Sequence, residues 1–66
     1  MPPMITYLAI VIDLQEERLE KNPIPFLRTQ IVTDLEKLFK RFEAEYQEFM
    51  LTTGQCPTME TLRAAA

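Results

Sequence analysis

Between Pro25 and Gly54 the chain runs without a single glycine or proline. Few features constrain a short chain more. Proline is accepted in the first turn of a helix and excluded from its interior, so a helix here starts near Pro23 or Pro25, after Asn22. It ends at Thr52-Thr53-Gly54, where Gly54 can take the left-handed conformation that closes a helix. At 100° per residue, Ile31, Val32, Leu35, Leu38, Phe39, Phe42, Tyr46, Phe49 and Met50 fall within one arc of about 120°. Glu36, Lys37, Lys40, Arg41, Glu43, Gln47 and Glu48 fall outside it. Glu36 and Lys40 form an i,i+4 pair in the favourable order. The pattern predicts one amphipathic helix of roughly 27 residues, about 40 Å long.

The segment before it supports two readings. Ile5-Thr6-Tyr7-Leu8-Ala9-Ile10-Val11-Ile12 is β-branched and aromatic enough for a strand. Asp13 with Glu16 three residues on resembles a helix N-cap, which would start a helix only at Leu14. Read as one helix from Met4 to Lys21, the segment carries two apolar stripes. Ile5, Leu8, Ile12 and Leu19 form one, and Tyr7, Ile10, Val11 and Leu14 form the other. A helix apolar on nearly all sides at one end is buried on two sides. The last segment is short, with Thr58 as a candidate N-cap for Met59 to Ala66.

The expected fold is therefore all-α, a single small helical domain over residues 1–66. A short first helix and a long second one form an antiparallel hairpin, followed by a short C-terminal helix. The alternative is an N-terminal strand followed by two helices, which resembles the element order of ribbon-helix-helix dimers.

Composition excludes several function classes. The 66 residues contain no histidine, which removes the commonest metal ligand and the commonest general base. The one cysteine, Cys56, has no histidine to complete a nucleophilic dyad and no partner for a disulfide. Neither a phosphate-cradling glycine loop nor a zinc spacing occurs. Glu16 with Glu20, and the group Glu43, Glu45 and Glu48, read as solvated acidic faces. The expectation is a protein that is not an enzyme, with no cofactor and no metal site. Ten acidic residues against seven basic ones argue against a general nucleic-acid surface. No basic n-region and no apolar run near 20 residues is present, so a cytoplasmic protein without membrane attachment is expected.

Packing arithmetic points to a partner. A first helix about 27 Å long covers only part of a 40 Å stripe, and its own second stripe faces elsewhere. Each large apolar side chain left in water costs about 1.5–3 kcal/mol. Four or five of them match the whole stability of a domain this size. The surplus calls for a second copy, forming a four-helix bundle, or for another protein binding the helical surface. The expected function is a regulatory, adaptor or assembly role through protein–protein interaction. The candidate contact residues are Phe26, Leu27, Phe39, Phe42, Tyr46, Phe49 and Met50. Phe26 and Leu27 lie off the main stripe, as an outside contact or as a staple across the turn. Arg28, at the N-terminal end of the stripe, is expected to snorkel or to pair with a carboxylate.

About ten residues, Thr53-Gly54-Gln55-Cys56-Pro57-Thr58-Met59-Glu60-Thr61-Leu62, read as helix end, T-G, turn, P-T, helix. This resembles the first turn of the winged helix-turn-helix domain of LexA-type repressors. The resemblance implies a small DNA-binding transcriptional regulator, the alternative function.

Overall fold

A computed structural model describes residues 3–65. Three helices follow one another: α1, Met4–Lys21; α2, Pro25–Thr53; and α3, Met59–Ala64. Among the described residues there is no strand. The all-α reading holds, and the strand alternative for residues 5–12 does not. Three of the residues that gave it strand character, Ile5, Thr6 and Ile12, are buried in α1 at 1% exposure or less. Burial of β-branched side chains against neighbouring helices outweighs their modest preference for extended backbone.

The ends of α2 follow the expected chemistry. Pro25 opens the helix, and Gly54 closes it at φ 71°, donating its N–H to the Met50 carbonyl at 2.8 Å. Thr58 caps α3 by accepting from the Thr61 N–H at 3.1 Å. Asp13 and Glu16 are not a helix start. They sit inside α1, where an acidic pair at i,i+3 spacing meets Arg63 of α3, with Nη1 3.5 Å from Asp13 and Nη2 3.9 Å from Glu16. Both acids are about half exposed, which limits each contact to about 1 kcal/mol or less.

The turn between α1 and α2 is closed by polar groups. Asn22 Oδ1 accepts from the Ile24 N–H at 3.0 Å, an Asx turn. Arg28 Nη1 donates to the Leu19 carbonyl and, at 3.0 Å, to the Asn22 carbonyl. It therefore caps the C-terminal carbonyls of α1 rather than pairing with a carboxylate. Phe26 is 69% exposed, so it does not staple the turn.

α1 is the central helix, packing against both α2 and α3. At one end Ile5, Ala9 and Leu62 form a buried cluster flanked by Phe42, Tyr46, Phe49 and Met59. Toward the hairpin turn Ile12, Ile31 and Leu35 form another, flanked by Leu19, Leu38, Phe42 and Met59. Phe42 and Met59 touch both. α3 thus folds back and covers part of the apolar surplus within the chain. The Tyr46 hydroxyl secures the connection by donating to the Pro57 carbonyl at 2.7 Å.

Candidate interaction surface

The apolar residues of α1 divide by angle. Ile5, Leu8 and Ile12 point into the hairpin and are at most 2% exposed. Ala9, one step around the helix, lies under Leu62. The opposite flank carries Met4, Tyr7, Val11 and Leu14, at spacings of three, four and three. Those spacings place them on one line along the helix, the pattern of a helix-pairing seam. Met4 is 44% exposed, Tyr7 62% and Leu14 53%. Val11 and the neighbouring Ile10 are half-buried. Tyr7 reaches water, so its hydroxyl needs no partner within the chain.

The line continues one step further to Arg18, which is exposed and donates to Gln15 Oε1 at 3.3 Å. Arg18 and Lys21, with Asn22, Pro23 and Ile24, line a shallow cleft at that end. Lys21 also pairs with Glu17 at 2.7 Å. The hydrogen bond and charge of Lys21 hold the Glu17 carboxyl below the usual carboxylate range, and Glu17 in turn raises the Lys21 ammonium. At the other end, Pro3, Met4 and Ile5 face Glu45, Glu48, Phe49 and Thr52 of α2 across a second shallow cleft. The apolar line therefore runs between Arg18 at one end and Glu45 and Glu48 of α2 beside the other.

The seven residues expected as contacts do not form one patch. Phe42, Tyr46 and Phe49 pack against the Ile5–Ala9–Leu62 cluster, with the Phe42 and Tyr46 ring centroids 5.6 Å apart. Met50 is half-buried, and its Sδ accepts from the Cys56 thiol at 3.4 Å. Phe39, at 46% exposure, flanks the buried arc of α2 together with Val32 at 40%. Leu27 is 38% exposed. Phe26 borders a shallow cleft with Thr29, Gln30, Thr33 and Asp34 at the turn end. The α1 line was legible in the spacing of Tyr7, Val11 and Leu14, a stripe that the long helix cannot reach.

Among the described residues, no group of three or more Cys, Asp or Glu is placed to hold a metal ion. No helix of the described residues is long and apolar enough to cross a membrane. Comparison with protein-family models, with curated proteins and with solved structures finds no match for this chain.

Proposed function

We propose that this chain is a small non-enzymatic interaction protein that recognises another polypeptide through the outer face of α1. The observation that carries the reading is the line Met4-Tyr7-Val11-Leu14, apolar over about 15 Å, with Met4, Tyr7 and Leu14 exposed and Val11 half-buried, while the opposite face of the same helix is fully buried. An exposed apolar row framed by charge at both ends is the anatomy of a recognition surface, with an apolar centre and a polar rim. Tyr7 at its middle is an amphipathic aromatic, a residue type enriched among contacts that dominate binding energy. Arg18 at one end and Glu45 and Glu48 at the other orient whatever lies on the line. A regulatory, adaptor or assembly role follows from such a surface. Phe26, Leu27 and Phe39 are additional outside contacts on the same reading.

Surface area supports it. The chain exposes 4991 Å². A monomer of 7.7 kDa is expected to expose about 4,300 Å². The excess, about 700 Å², is close to one partner's share of a small specific interface.

The test is a photoreactive benzophenone amino acid at position 7, compared with one at position 37 on the polar face of α2, in cells expressing the chain. Protein adducts at position 7 and not at 37 are expected. Equal labelling at both positions, or labelling at neither, overturns the reading. Tight association with duplex DNA that weakens steeply with salt would favour the DNA-binding alternative instead.

A further inference from the structure

The outer face of α1 has a property that a generic docking surface does not need: it is complementary to itself. Met4, Tyr7, Val11 and Leu14 are symmetric about the midpoint between Tyr7 and Val11. Rotating the helix by 180° about an axis through that midpoint places Met4 on Leu14 and Tyr7 on Val11, so that an antiparallel copy meets apolar with apolar at every step. The same rotation exchanges the two ends. It carries Arg18, whose only side-chain partner among the described residues is neutral Gln15, to the side where Glu45 and Glu48 of α2 flank Met4. Neither Glu45 nor Glu48 takes part in an ion pair among the described residues. Parallel pairing would instead bring Arg18 against Arg18 and the acidic pair against its own copy.

Building on the interaction reading above, we propose that the occupant of this face is a second copy of the chain, bound antiparallel through α1. Met4 lies against the partner's Leu14 and Tyr7 against the partner's Val11, and Arg18 at each end faces the Glu45–Glu48 pair of the other protomer. The two hairpins then form a four-helix assembly with α1 and its copy at the centre and α3 on the outer side of each. The interface is confined to one helix face and its charged ends, the small kind found in reversible associations. The charged ends act mainly on orientation, selecting the antiparallel arrangement over the parallel one.

The test uses the full chain with Cys56→Ser as background and reads both mass and geometry. Light scattering across micromolar to millimolar concentration is expected to show a mass rising towards twice the 7.7 kDa of the chain. Met4→Cys and Leu14→Cys proteins, mixed and oxidised, are expected to form the mixed disulfide, while each alone forms little. Arg18→Glu is expected to weaken the dimer about tenfold, and adding Glu45→Arg and Glu48→Arg to restore it. Circular dichroism checks that each variant keeps its helix content; all of these positions lie on or beside the solvent-facing surface. Disulfides of Met4→Cys with itself overturn the antiparallel register. An unchanged mass at every concentration overturns the self-pairing. If position 7 then still labels other proteins, the interaction reading stands without it; if it labels none, both fall.

Discussion

Leu62→Ala tests how α3 is held. Leu62 is the one buried residue of α3, at 4% exposure, and it fills the space over Ile5 and Ala9. Truncating a leucine in such a site costs about 2–5 kcal/mol, through lost transfer energy and the cavity left behind. The other attachments of this segment are the partial burial of Met59 against both clusters and weaker polar contacts. The Tyr46–Pro57 hydrogen bond contributes about 1 kcal/mol, and the half-exposed Arg63 contacts about 1 kcal/mol or less each. A helix of six residues has no stability of its own. Leu62 is the largest single attachment, so its loss should make α3 open far more often while the hairpin persists on its Ile12–Ile31–Leu35 cluster. Native-state amide exchange reads this directly. The Leu62 and Ala65 amides, bonded to the Thr58 and Thr61 carbonyls, should lose roughly a hundredfold in protection for about 3 kcal/mol. The amides around Ile31 and Leu35 should lose less than about tenfold. Equal loss along all three helices would refute the separation, showing that α3 and the hairpin unfold as one unit. No loss anywhere would refute the placement of Leu62 in the core.

Other substitutions probe the remaining contacts. Tyr46→Phe removes the donor to the Pro57 carbonyl, and should lower stability by about 1 kcal/mol and the thermal midpoint by about 4–8 °C, read by calorimetry. Arg28→Ala uncaps the end of α1 at Leu19 and Asn22; a loss of about 1 kcal/mol in urea unfolding is expected, with faster amide exchange near the turn. Phe42→Asp places a carboxylate between the two apolar clusters and should abolish cooperative unfolding, followed by circular dichroism.

The helices were legible in the sequence because punctuation and periodicity agreed. Pro25 and Gly54 bound α2, Thr58 caps α3, and the apolar arc of α2 contains Ile31 and Leu35, the two residues of that helix that are buried. The segment 5–12 was ambiguous for a physical reason. Its composition favours a strand, while its two stripes suit a helix packed on two sides, and only tertiary contact decides between them. Ala9 and Thr6, among the least exposed residues, carry little hydrophobic signal and could not be singled out. The roles of Asp13, Glu16 and Arg28 were hidden for a related reason. Each is read locally as a cap, a helper or a snorkelling cation, but its partner lies on another element. Which of the candidate contact residues the fold itself covers was not legible: Phe42, Tyr46 and Phe49 pack on the Ile5–Ala9–Leu62 cluster. Phe42, Tyr46 and Phe49 are equally apolar whether they meet a partner or α3, and periodicity does not say how far a chain folds back on itself.

The central claim is that α1 has one face for the fold and one for recognition. Molar mass by light scattering, for the unaltered chain and for Leu14→Glu, tests it most directly. Leu14 is 53% exposed, so the substitution should leave the helix content unchanged. The account predicts a mass that rises with concentration for the unaltered chain and stays at 7.7 kDa for Leu14→Glu. If both chains show the same mass at every concentration, with the same helix content, Leu14 lies outside the self-association surface and that surface is not the outer face of α1.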